Sequence, residues 1–169
     1  MADSQSKEPL IDQVIERLED LSLGERAILQ RSDGDFMNAS GDMIGVFYRR
    51  VLFERLSKEN EARFFLIAVL YAWAKTSTDN DISLGASLKM IRDGQSRKSD
   101  GSTPLDRRVH WLLRSDGQQF QPRMREMIRM LKAYRIPINY RKLFYDIRDW
   151  QDPDLRDGIR RTWLRAYYE

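Results

Sequence analysis

Three groups of side chains in this 169-residue sequence could do chemistry. Asp146 and Asp149 stand one helical turn apart, a spacing that could hold a cation. His110 could take a proton. Two rows of arginine, on either side of a glycine-containing turn, could grip phosphate. The first two fare poorly. The aspartates sit among Arg141, Lys142 and Arg148 and read as an exposed acidic pair answering those cations. His110 is the sole histidine, so a two-histidine metal site is excluded. As a general base it has no evident partner to orient it, and it reads as a structural imidazole beside Arg108 and Trp111. With no cysteine, disulfides and thiolate metal sites are excluded. Glycine-rich phosphate loops, dinucleotide fingerprints and zinc spacings are absent. The expectation is a protein with no catalytic residues, no cofactor and no metal.

The arginine rows fall between Thr103 and Lys132, TPLDRRVHWLLRSDGQQFQPRMREMIRMLK. Thr103 can cap a helix, Pro104 suits its first position and Asp106 its first turn. Leu105, Val109 and Leu112 then recur at helical spacing toward a core, while Arg107, Trp111 and Arg114 share another face. In the next helix Met124, Ile128 and Leu131 make the apolar stripe, widened by Met127, Met130 and Tyr134. Arg125, Arg129 and Lys132 line a separate basic row. Such rows suit a polyanion, but they are equally compatible with a solvated helix face whose cations pair locally, as Asp157 can with Arg161.

The charge distribution bears on that choice. The net charge is only +3, yet residues 1–103 hold 14 Lys+Arg against 17 Asp+Glu and residues 104–169 hold 15 against 9. Of 29 basic residues, 22 are arginine, whose planar fork binds phosphate and stacks on rings. A GC-rich source would also inflate arginine, but would not place the excess in one half.

The elements that must position these rows are helical. Leu10, Ile11, Val14, Ile15, Leu18 and Leu21 mark a first amphipathic helix from near Pro9, followed by a short one from about Leu23 to Gln30. Residues 32–42 read as a loop. A third helix, roughly Met43 to Leu56, turns Ile44, Phe47, Val51 and Leu52 inward, with Arg49 and Arg50 near its boundary. Ser57 caps a fourth helix whose body, Phe64 to Ala74, is eleven apolar residues without a break. That is short of the roughly 20 residues a membrane span requires, and too uniform for a surface helix, so it should fill the centre of a bundle. Residues 82–91 form a further helix. The polar, glycine-bearing stretch 93–102 reads as a linker, so the single domain 1–169 could divide into subdomains at about 10–92 and 103–169. Pro122 should begin or kink its helix. Asn139 caps Tyr140 to Trp150, and Asp152 with Pro153 opens a last helix whose Leu155, Ile159, Trp163 and Ala166 point inward. Trp73, Trp150, Trp163, Phe47 and Tyr140 fall on core stripes; Trp111 alone falls on the arginine side. The predicted architecture is all-α, a bundle of about eight helices. The first nine residues lack a secretory pattern, and a reducing cytoplasm suits the lack of cysteine.

Six segments taken in order, GERAILQRS, FYRRV, ISLGASL, DRRVHWLLR, INYRKLFYDIRDW and TWLRAYY, resemble the CasB family over about Leu10 to Tyr168. CasB is the small subunit of Cascade, the type I-E CRISPR interference ribonucleoprotein. The resemblance implies an all-helical, non-catalytic subunit that sits as a pair of copies along the complex beside its backbone and large subunits. Its basic faces would run along guide RNA, target DNA and displaced single-stranded DNA, favouring the open R-loop. Sequence would be read by guide–target pairing, leaving this subunit only phosphate contacts to make. Carried over by position, the implied nucleic-acid contacts are Arg31, Arg107, Arg108, Arg114 and Arg129, with Arg125 beside it; Arg49 lies in a matched segment, and Lys132 extends the row. Arg26 also lies in a matched segment but could close onto an acidic residue inside the bundle. Gln30 departs from the family, which commonly has arginine there. Two rivals remain, a structural adaptor whose arginines meet protein carboxylates and a helix-turn-helix regulator.

Overall fold

The computed structural model describes residues 9–95 and 102–169, and among them the chain forms nine α-helices. These are α1 (Leu10–Glu19), α2 (Leu23–Gln30), α3 (Gly41–Val46), α4 (Lys58–Trp73), α5 (Leu84–Gly94), α6 (Pro104–Arg114), α7 (Gly117–Ala133), α8 (Tyr140–Asp149) and α9 (Pro153–Tyr168). No strand occurs among the described residues; one isolated parallel bridge joins Ser77 to Ile138. The fold is all-α, with one helix more than the sequence suggested.

Polar caps set the helix starts. Ser22 and Glu25 form a reciprocal capping box on α2, as Thr103 and Asp106 do on α6. Ser40, Ser57, Ser83, Asn139 and Asp152 each accept from a first-turn amide of their helices. Each such cap stabilises its helix by about 1 kcal/mol.

The apolar run in α4 fills the centre: every residue from Phe64 to Ala74 is buried. Around it pack α1, α2, α7 and α8, and α5 lies along α9. The α5–α9 contact is made backbone to backbone. A Cβ on Gly85 would stand 2.0 Å from the Trp163 carbonyl oxygen, so only glycine lets the two helices approach this closely. A single apolar cluster runs from Ile11 to Tyr167.

Several expectations need correction. The third helix does not continue to Leu56. After Val46 it widens into a π-helical turn, Phe47–Val51, and the chain is extended from Leu52. Residues 32–42 include a 3-10 turn at Phe36–Asn38. Pro122 does not begin α7, which starts at Gly117; it lies in the second turn, where the carbonyl its missing amide would have bonded belongs to the exposed Gln118. Tyr134 and Leu155 are half exposed rather than inward; Tyr134 follows the last residue of α7 and Leu155 lies in the first turn of α9. Of the stretch read as a linker, Asp93 and Gly94 close α5, and 96–101 lie outside the described residues.

Candidate nucleic-acid interface

The buried indole of Trp73, the last residue of α4, joins the two halves of the arginine set. Its Nε1 donates to the Gln30 carbonyl at 2.7 Å, and the Gln30 side-chain amide donates to the Ala72 carbonyl at 2.7 Å. That reciprocal clasp fixes the end of α2, where the exposed Arg31 is the C-cap. From the other side α7 lays two guanidinium groups over the same ring, Arg129 at 4.6 Å from its centroid and Arg125 at 5.9 Å. Guanidinium on an indole face is held by the ring quadrupole, which orders the cation without neutralising it. Arg125 and Arg129 are thus seated on one side chain, which also fixes the backbone next to Arg31. None of the three makes an ion pair with a described residue.

Beside them α6 meets α7. Arg108, Arg125 and Arg129 line a shallow cleft of about 320 Å³ with Pro122, Glu126, Met130 and Ala133. Arg108 is the cation most engaged by protein. Its Nε lies 3.0 Å from Glu126, and a terminal nitrogen lies 3.4 Å from the Met130 sulfur. Glu126 also faces Arg123 at 3.7 Å, and Arg123 covers the Trp111 ring at 4.9 Å. Arg107, Arg114 and Lys132 are exposed and form no ion pair among the described residues. Arg49 stands apart on the π-helical turn, its Nε donating back to the Gly45 carbonyl at 3.1 Å, while its neighbour Arg50 pairs with Glu25 at 3.0 Å. Arg26 is half-buried and makes no ion pair among the described residues.

The two sequence features considered for chemistry are used structurally. His110 does have a partner, the Tyr168 hydroxyl at 2.9 Å. Arg92 lies over the Tyr168 ring and also over that of Tyr167, whose hydroxyl donates to Asp106 at 2.6 Å. Burial would raise the Asp106 carboxyl, but bonds from Tyr167 and from Thr103, with Arg92 nearby, hold it below its ordinary value. The network ties α5 and α9 to the start of α6. Asp146 is not the exposed half of an acidic pair. It is half-buried and accepts from the Trp163 indole at 2.8 Å, and its burial raises the carboxyl, opposed by that bond and by Lys142. Asp149 is claimed by Arg148. In α9, Asp157 pairs with Arg160 rather than Arg161. No cluster of three or more metal-ligating side chains occurs among the described residues, and no helix among them is long and apolar enough to cross a membrane.

Sequence reasoning missed Arg123 and the role of Trp73. Arg123 lies outside the row set by Arg125, Arg129 and Lys132, and only the packing of α7 on α6 brings it over Trp111. Trp73 falls on a core stripe, as the structure bears out, but nothing local shows that its edge reaches α2 and its face reaches α7.

The profile of the family described as CRISPR-associated protein Cse2 matches residues 25–168. No curated protein matches the chain significantly. Among solved structures, a Cse2-family CRISPR-associated protein of Thermus thermophilus is 21% identical with a TM-score of 0.72, covering 93% of this chain and 96% of that one. CasB of M. ruber is 20% identical with a TM-score of 0.69, covering 95% and 93%. A chain described as belonging to a CRISPR RNA-guided surveillance complex is 20% identical with a TM-score of 0.69, covering 94% and 89%.

Proposed function

This chain belongs to the CRISPR-associated Cse2 (CasB) family, and we propose that it is a non-catalytic small subunit of a type I-E Cascade ribonucleoprotein. In this role it binds nucleic-acid backbone without reading sequence, and stabilises the guide–target R-loop and the displaced strand. Its partners are the backbone and large subunits, a second copy of itself, guide RNA, and target and displaced DNA.

The observation that carries this reading is the seating of Arg125 and Arg129 on Trp73. Two guanidinium groups are held in place by a ring and paired with no carboxylate among the described residues, beside a shallow open cleft. Fixed, un-neutralised cations suit a phosphate chain that passes across the surface, because their ordering has been completed before the strand arrives. The contacts proposed are Arg31, Arg107, Arg114, Arg125, Arg129 and Lys132, with Arg108 joining once Glu126 releases it and Arg49 at the margin.

Co-purification tests the assembly: the tagged chain should bring down the other Cascade subunits with a short guide RNA. Changing Arg125 and Arg129 together to alanine should weaken retention of target DNA by the assembled complex while leaving the subunit folded. Unchanged retention with intact assembly would remove these two residues from the contact set. If about four phosphates are neutralised, single-strand affinity falls with salt at a log–log slope of roughly −3.

A further inference from the structure

Of the four tryptophans, Trp73, Trp150 and Trp163 are 8%, 0% and 2% exposed, whereas Trp111 is 51% exposed. An indole left half in water is a large apolar surface kept out of the core, and here cations stand beside it. Arg107 and Arg114 stand one turn before and one turn after it on the same face of α6, and Arg123 of α7 lies over the ring at 4.9 Å. Its indole nitrogen donates to no described residue.

We propose that Trp111 is a stacking platform for an unpaired base of a single-stranded nucleic acid, with Arg107, Arg114 and Arg123 holding the phosphates on either side of it. The inference rests on the backbone-binding reading above and adds a base contact that does not depend on sequence. Every base presents a π-face, so a tryptophan can take any of them, but only from a strand whose bases are not already stacked in a duplex. The buried and the exposed indole then divide the work. Trp73 has its ring occupied by Arg125 and Arg129 and can only seat cations, while Trp111 has surface left to offer. Arg123 over one side of the ring restrains the indole, which lowers the ordering cost of a base arriving on it. A surface that contacts the backbone alone would treat paired and unpaired strands by charge density. Trp111 biases this one toward the strand that an R-loop displaces.

The test uses the full chain and two fluorescently labelled oligomers of about 16 nucleotides, one of thymidine and one wholly abasic, equal in charge. Anisotropy titrations at low salt should show the thymidine strand bound about tenfold tighter than the abasic one. Trp111→Ala should erase that difference by weakening thymidine binding alone, and Trp111→Phe should keep most of it. Circular dichroism should show both variants folded, as befits an exposed position. Equal affinity of the unaltered protein for the two strands would overturn the stacking platform and leave the phosphate contacts standing. So would a Trp111→Ala protein that still prefers thymidine. Failure of the unaltered protein to bind either strand would sink the backbone reading together with the platform.

Discussion

The indole nitrogen of Trp73 donates to the main-chain oxygen of Gln30 across 2.7 Å, forty-three residues away in sequence. This bond fixes where the end of α2 stands relative to the ring that carries Arg129. Trp73→Phe keeps an aromatic face but leaves the Gln30 oxygen without its donor and weakens the cation–ring attraction. The expected loss is about 1–2 kcal/mol of stability by urea unfolding, together with a several-fold weaker single-strand affinity. A variant that loses stability but binds normally would show that the ring does not organise the arginines for binding.

Glu126 is the carboxylate that compensates Arg108 and Arg123, at 3.0 and 3.7 Å. Glu126→Gln removes that charge and keeps the side chain's shape. Because these pairs are only half-buried and open to solvent at the cleft, stability should change by no more than about 1 kcal/mol. Single-strand affinity should rise about three- to tenfold at low salt, and the salt dependence should steepen as two more cations become available. An affinity unchanged by the substitution would mean that neither arginine faces the strand.

Gly85 marks a close approach of α5 to α9, and α9 lies in the segment 103–169 while α5 ends the first segment at Gly94. We propose that the two segments unfold as one unit through this contact. Gly85→Ala should force the helices apart at a cost of about 3 kcal/mol. For a chain of this size that is roughly a 10 °C drop in Tm. Far-UV dichroism and tryptophan fluorescence should move together. Two separated transitions would show independent subdomains.

Asp146 has a carboxyl raised by burial from the ordinary 3.8, despite the bond from Trp163. A folded-state value above the unfolded one means the native protein binds the proton more tightly. Stability from this group is therefore gained as pH falls through the folded value and is lower above it. Asp146→Asn keeps an acceptor for the indole and removes the buried charge. At pH 7 it should be at least as stable as the unaltered protein, with the advantage shrinking as pH is lowered toward the ordinary carboxylate range. Urea midpoints measured at both pH values check this; a variant clearly weaker at pH 7 would show that the ionised carboxylate is needed.

Much of the fold was legible because it rests on local chemistry. The unbroken run Phe64–Ala74 could only be interior, and Thr103 with Asp106, Asn139, and Asp152 with Pro153 announce helix starts through hydrogen bonds made within one turn. The π-helical turn at Phe47 had no such signal. It ends α3 where Phe47 must meet Phe36 and Phe65, a contact between distant segments. Pro122 announced a disturbance of its helix but not its place within it, since its cost depends on whether the carbonyl it orphans can reach water. The site divides the same way. Periodicity separated the arginine rows from the core stripes, and it set Trp111 apart from the other tryptophans. Which cations are already engaged was invisible, because Glu126 lies among the basic residues of α7 and claims Arg108 only after α6 docks.

The buried helix α4 runs its peptide dipoles toward Trp73, so partial negative charge gathers at the end nearest the proposed path of a polyanion. Left bare, that terminus would repel phosphate from within. Instead the Ala72 oxygen takes the Gln30 amide, the Ala74 oxygen takes the Tyr140 hydroxyl at 2.7 Å, and Arg125 and Arg129 stand over the terminal ring. The core helix thereby helps to anchor the very cations that mask its own field. A substitution deep in the bundle that shifted this terminus would change the surface potential without touching a single charged residue.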